Sequence, residues 1–203
     1  NVGEVLTMLV ATLLGLPLPL IPMQILWMNL VTDGLPAIAL GLDPTDQDLM
    51  LEKPRDPQEG VFAHGLLKRI LFSGTAISLA ALGIFVFSLW YHPGDVLLSR
   101  TLAFTTLVLA QLVFSFQCRF ERYSIFEAGV LGNIYLIFAV LLSFSAQVLI
   151  LYNPFLANMF QTVPLGGEDW LLVSIFAIFP LFVETVLRLV KQMVRRHFSL
   201  LKV

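Results

Sequence analysis

The sequence predicts an all-α fold: a polytopic transmembrane bundle of six helices, the first truncated at its N-terminus. Three observations carry that expectation. Hydrophobic residues make up 58% of the 203-residue chain and charged residues only 13%, whereas a soluble domain carries roughly a quarter charged residues. Mean hydropathy is +0.86. The apolar residues also come in long blocks separated by short segments rich in Pro, Gly and charge, and five blocks reach the ~20 residues that cross a bilayer as a helix.

Taken in order, the blocks predict helices over about 1–16, 21–41, 66–91, 99–118, 130–152 and 169–190. No basic stretch precedes the first block and no small-residue cleavage site follows it, so it reads as part of a helix and not as a signal peptide. The turn "LPLP" at 17–20 joins it to the second helix. "YHPGDVLLS" at 91–99 and "YNPFLANMFQTVPLGGE" at 152–168 read as further turn-rich connections. The single Cys118 has no second cysteine to pair with, so an internal disulfide and a thiolate cluster are excluded. It reads as a small packing residue.

Charge placement predicts topology. Lys53, Arg55, Lys68 and Arg69 flank the loop 42–65, Arg119 and Arg122 follow the fourth helix, and Arg188, Lys191, Arg195, Arg196 and Lys202 close the chain. With alternating helices these groups fall on one side and only Arg100 on the other, which makes the loop 42–65 and the C-terminus cytoplasmic. Glu184 precedes Arg188 by four residues and reads as half of a local ion pair. The net charge of −2 gives no reason to expect a nucleic-acid partner; the partner the composition requires is the lipid bilayer.

One block is interrupted. "WMNLVTDGLPA" at 27–37 places Asn29, Thr32 and Asp33 at i, i+3, i+4 spacing, on one helical face. Pro36 cannot donate a hydrogen bond to the carbonyl of Thr32, and Gly34 makes unwinding easy. Polar backbone at membrane depth persists only where it is buried in protein or lines a cavity. A carboxylate near the bilayer centre costs roughly 3 kcal/mol on the lenient insertion scale, and no nearby Lys or Arg pairs with Asp33. A cation is the missing partner.

The preceding helix supplies a second carboxylate. Glu4 lies as far before the centre of the "LPLP" turn as Asp33 lies after it, so both sit ~20 Å below one surface of a helical hairpin. Asn1 shares the face of Glu4, and Gln111 reaches a similar depth of ~18 Å in the fourth helix. The candidate metal ligands are therefore Asn1, Glu4, Asn29, Thr32, Asp33 and Gln111, all oxygen donors. Such a set suits a hard cation, calcium above all. Two carboxylates repel one another when the site is empty, so at least one is expected to take up a proton as the ion leaves. Taken singly, Asn29, Thr32 and Gln111 also fit the role of interhelical hydrogen-bonding groups, and Gly34 with Pro36 fits an ordinary kink.

"NVGEV" (1–5), "LIPMQILWMNLVTDGLPAIALGLDPTDQDLM" (20–50) and "EKPR" (52–55) closely resemble the P-type calcium-transporting ATPases, the sarco/endoplasmic reticulum type and its bacterial relatives. The similarity covers essentially the whole chain, as the fifth to tenth transmembrane helices, and is most specific in its first third. "RTLAF" (100–104) continues it. The resemblance implies that Asn1, Glu4, Asn29, Thr32 and Asp33 are calcium ligands, with Asp33 shared between two ions. Sarco/endoplasmic reticulum pumps carry a Glu where this chain has Gln111, one carboxylate fewer here. Sodium/potassium pumps carry an Asp where Asn29 stands, which points away from that branch.

The same resemblance implies partners. The loop 43–64 would contact the phosphorylation domain of the pump, and Asp46 and Asp48 either draw cations to the entrance or form a solvated acidic loop. Gly3 and Gly74 would let the first and third helices approach closely at a pivot. The chain contains no "DKTG", no Gly-rich nucleotide loop and no "PEGLP"-type motif. By itself it is therefore expected to bind or conduct ions without hydrolysing ATP, with magnesium and ATP acting in the rest of the pump. A passive cation channel, an ion-binding accessory subunit and a manganese pump remain the alternative readings. The short loops suggest a prokaryotic plasma membrane.

Overall fold

The computed structural model describes residues 1–43, 60, 62, 65–118 and 132–200, with side chains described as far as 187. Among these residues every regular element is helical. The elements are α1 (Val2–Leu13), α2 (Pro22–Trp27), a π-helical turn (Met28–Asp33), α3 (Gly34–Gly41), α4 (Leu66–Tyr91), α5 (Val96–Cys118), α6 (Ile134–Tyr152), α7 (Pro154–Phe160) and α8 (Gly167–Leu200). Five spans are long and apolar enough to cross a membrane: Pro22–Gly41, Leu66–Tyr91, Val96–Cys118, Ile134–Tyr152 and Gly167–Leu187. Val2–Leu13 is a shorter apolar helix. The loop residues 44–59, with Asp46 and Asp48, lie outside the described residues.

Capping side chains set the helix starts, and they move several of them from the edges of the apolar blocks. α5 begins at Val96 and not at 99 because Asp95 Oδ1 accepts the Leu98 N–H at 2.9 Å. α6 begins after Asn133, whose Oδ1 accepts the Leu136 N–H at 2.9 Å. α8 begins two residues early, where Asp169 Oδ2 accepts the Gly166 N–H at 2.8 Å. It also runs past 190 to Leu200, because Lys, Arg, Gln and Met continue a helix well even where hydropathy falls. α7 lies in a segment that reads from sequence as loop. Asn153 accepts the Phe155 and Leu156 N–H groups and Pro154 occupies the first turn, the favoured start of a helix.

α5 is the central element: Thr101 to Val108 are all buried, so the helix is enclosed on every side. α4, α8 and the interrupted helix pack around it, with Ile77, Ala81, Ala177 and Met28 clustered on Phe104 and Leu107 of α5. The outward faces of α6 and α8 are apolar, with Phe138, Leu142, Ile175 and Phe182 exposed. In a bilayer these side chains meet lipid. α1 and α4 cross at glycine, as the small residues there predict. A Cβ on Gly74 would fall 2.6 Å from Val2 Cγ1, and one on Gly3 would fall 3.0 Å from Ile77 Cγ2.

The turns at 14–21 and 153–166 meet at one end of the bundle. Arg100 Nε donates to Leu18 O at 3.2 Å and its Nη1 to Gln161 Oε1 at 3.3 Å. Gln24, fully buried, donates to Phe160 O at 3.0 Å, and Trp27 stands edge-on to the Phe160 ring at 5.4 Å. At the opposite end Arg69 Nε lies 3.4 Å from Glu184 Oε1, while its Nη2 donates to Gln117 O. Glu184 thus reaches across to α4; the side chain of Arg188 lies outside those described. Cys118, at the end of α5, is exposed and not packed inside.

Candidate cation site

The interruption of the second span takes a different form from the unwinding its sequence suggests. Gly34 keeps helical angles, φ −63 and ψ −49, and the chain passes through Met28–Asp33 as a π turn. The physical reason is the proline. In an α register its ring would press on the Thr32 carbonyl and leave it without a donor; one extra residue in the turn relieves the clash and keeps the helix continuous. Such π turns recur at functional sites.

The π turn also changes which side chains share a face. Thr32 is buried and its Oγ1 donates to Met28 O at 2.8 Å, whereas Asn29 is exposed and its Nδ2 donates to Ile25 O at 3.0 Å. The three-residue face expected of Asn29, Thr32 and Asp33 is therefore corrected. The wider turn rotates Asn29 away from Thr32, and its amide is held by the helix.

The other candidates come together from three elements. α1 contributes Glu4, only 4% exposed, and α5 contributes Gln111, whose Nε2 donates to Glu4 Oε1 at 2.7 Å. The backbone nitrogen of Asn1 lies 4.0 Å from Asp33 Oδ2, which joins the start of α1 to the end of the π turn. Asn1, Thr32, Asp33 and Gln111 line one cavity of about 550 Å³ together with Ser73 and Arg69 of α4. Gln111 Oε1 and Ser73 Oγ are buried there without a protein partner. Buried polar oxygens without donors are costly unless something else satisfies them.

Ser73 and Arg69 did not stand out in the sequence, because a serine in an apolar helix and a basic residue at its end are both ordinary. Thr7 is another such residue: its Oγ1 donates to Gly3 O at 2.7 Å and lies 3.2 Å from Ser78 Oγ, one turn beyond the glycine contact. Among the described residues no group of three or more His, Cys, Asp and Glu side chains is placed to hold a metal. The side chains of Asn1, Thr32, Asp33, Ser73 and Gln111 that line the cavity offer oxygen atoms, a hard donor type.

Membrane-length helices around a cavity that Asn1, Thr32, Asp33 and Gln111 line among apolar side chains, with one helix interrupted at Asp33, define a multi-pass membrane protein. The chain belongs to the family of cation transporting ATPase C-termini, which it matches over residues 17–190. It is 47% identical over 182 residues to a calcium-transporting ATPase of Bacillus subtilis, covering 90% of this chain and 20% of that protein. It is 39% identical over 207 residues to calcium-transporting ATPase 1 of Bacillus cereus, covering 95% and 23%. A probable calcium-transporting ATPase of Trypanosoma brucei brucei is 31% identical over 232 residues, covering 94% and 23%. The chain thus spans about a fifth of the length of these relatives.

Proposed function

We propose that this chain is the ion-binding and translocating membrane region of an ATP-driven calcium pump. The observation that carries the reading is that Gln111, whose Nε2 donates to Glu4, lines one cavity with Thr32 and Asp33 of the π turn. Asn1, Glu4, Thr32, Asp33 and Gln111 are the ligands as they stand. Asn29 joins them when its amide leaves the Ile25 carbonyl. Calcium release is coupled to proton uptake by the carboxylates Glu4 and Asp33, since two acids in one site repel each other without the ion. Magnesium and ATP act in the phosphorylation and nucleotide-binding parts of the pump, which the loop 43–64 contacts. The bacterial relatives and the placement of basic residues support a prokaryotic plasma membrane with the C-terminus in the cytoplasm.

The test is calcium-dependent ATPase activity of the intact pump in membranes, with Asp33→Asn and Glu4→Gln. Each variant is expected to raise the calcium requirement by about 100-fold or more, since ligand charge sets affinity at oxygen sites over several decades. Phosphorylation from inorganic phosphate should persist. In proteoliposomes, wild-type calcium uptake should raise the internal pH. Unchanged calcium activation in both variants would make the cluster structural, and activation by manganese alone would reassign the ion.

A further inference from the structure

α6 meets the interrupted helix through three polar side chains at three heights. Gln147 Oε1 accepts from Trp27 Nε1 at 3.2 Å, Ser143 Oγ donates to Val31 O at 3.0 Å, and Asn133 Nδ2 donates to Ala39 O at 3.0 Å. The pairing is antiparallel, with descending positions on α6 meeting ascending positions on α2, the π turn and α3. Ser143 and Gln147 are completely buried and Asn133 is 2% exposed, on a helix whose other face is apolar. Gln147 Nε2 also lies 3.5 Å from Thr105 Oγ1, which ties this row to the central α5.

The carbonyl that Ser143 meets is a particular one. Pro36 has no N–H, so it returns no hydrogen bond to Thr32, four residues back, or to Val31, five back and its partner in a π register. Ser143 supplies a donor to that Val31 oxygen from outside the helix. Trp27 is the last residue before the π turn and Val31 lies within it, so the Gln147 and Ser143 bonds bracket the change of register. Thr32 and Asp33 follow Val31 directly. Hydroxyls and amides buried in an apolar helix persist where they satisfy backbone that would otherwise be exposed to hydrocarbon.

We propose that α6 is the positioning element of the cation site: Ser143 and Gln147 hold the π turn in register and thereby place Thr32 and Asp33, without touching the ion. This rests on the reading of Glu4 and Asp33 as cation ligands. A helix on the far side of the interruption then sets calcium affinity through the backbone it holds.

The experiment measures ATPase activity of the intact pump in membranes against free calcium, for wild type, Ser143→Ala, Ser143→Thr, Gln147→Leu, Asn133→Ala and Asp33→Asn. Ser143→Ala is expected to raise the half-activating calcium concentration about two- to tenfold, the factor that one hydrogen bond corresponds to. The maximal rate per phosphorylatable enzyme should stay within about twofold of wild type, since the loss falls on binding. Ser143→Thr, which keeps the hydroxyl, should restore the wild-type curve, and Gln147→Leu should shift it in the same direction as Ser143→Ala. A Ser143→Ala curve that superimposes on wild type overturns the proposal. So does a loss confined to the amount of pump, equal in Ser143→Ala and in Asn133→Ala, which bonds outside the π turn. Where Ser143→Ala does not accumulate, Gln147→Leu carries the same expectation and the same overturning result. Calcium activation that survives Asp33→Asn removes the ion-site reading itself, and this inference with it. A Ser143→Ala curve on wild type beside a calcium-insensitive Asp33→Asn removes only the role of α6.

Discussion

At the end of the bundle where the turns 14–21 and 153–166 meet, Gln24, Arg100, Tyr152 and Trp170 each give a hydrogen bond to a protein oxygen. Nearer the opposite end, Gln111 Oε1, Gln117 Oε1 and Ser73 Oγ are buried with no protein partner. Both regions sit among the same apolar helices, so composition does not separate them. The difference is in completeness. A network whose members satisfy one another has one low-energy arrangement and acts as a fixed cap. A set of oxygens facing a cavity with acceptors to spare is suited to a ligand that arrives and leaves. Gln111 shows the second condition most clearly: its Nε2 donates to Glu4 Oε1, while its Oε1 is buried at the cavity without a protein partner.

The contrast between the two ends is broken most severely at the ion pair of Arg69 and Glu184. Arg69 joins α4 to α8 through Glu184 and to α5 through the Gln117 carbonyl. Arg69→Met removes the α4 partner of a carboxylate that is 7% exposed, and breaking a buried pair costs up to about 3 kcal/mol. A clear fall in the thermal inactivation midpoint of the intact pump is expected. The double variant Arg69→Met/Glu184→Leu should recover most of it, since apolar replacement of both partners removes the buried charge. If the double variant is no better than the single one, the pair acts through something other than charge burial.

A smaller effect is expected at the helix crossing. The Cβ of Gly74→Ala would lie 2.6 Å from Val2 Cγ1 and 2.8 Å from Val2 Cβ, so α1 must move away from α4. Overpacking of this kind costs about 1–3 kcal/mol. Because α1 carries Glu4 one residue beyond the contact at Gly3, the calcium requirement should rise along with the loss of stability. Val2→Ala removes Cγ1 but leaves Cβ 2.8 Å from the new methyl, so it should restore both in part. Restoration of stability without restoration of calcium affinity would separate the crossing from the site.

These contacts also show what the sequence made legible. Block length and hydropathy located the membrane-length helices, because a bilayer imposes one dimension on every span. Helix starts were displaced wherever a polar side chain near the edge of a block bonds the first backbone N–H groups: Asp95 before its block, Asn133 inside its own and Asp169 at the edge of the last. The two carboxylates were legible as a pair because a hairpin turn fixes depth on both arms. The register of the interruption was not. Pro36 announces a missing donor, but whether the chain unwinds or adds a residue to its turn depends on what can reach the stranded carbonyl. That partner, Ser143, lies 112 residues away. Ser143 and Gln147 are visible as an i, i+4 polar pair on an apolar helix, yet nothing in their spacing names the helix they serve.

The smallest expected effect tests whether the fixed cap is uncoupled from the ion. Tyr152 OH donates to Leu165 O at 2.7 Å and accepts from Trp170 Nε1 at 2.8 Å, which ties α6 to the start of α8. Tyr152→Phe keeps the ring and removes both bonds. Tyr152 is 48% exposed and Trp170 lies near it, so water or lipid headgroups can replace the lost hydroxyl in part. The cost should therefore be about 0.5–1 kcal/mol. Loss of the indole hydrogen bond should be visible as a change in tryptophan emission, with Trp170→Phe identifying the signal. The calcium dependence of ATPase activity should be unchanged, because Tyr152 is joined to the turn end and not to the π turn. A shifted calcium curve in Tyr152→Phe would mean that the end of α6 nearest the turns passes its position down the helix to Gln147 and Ser143. The satisfied and unsatisfied regions would then be two ends of one mechanical element.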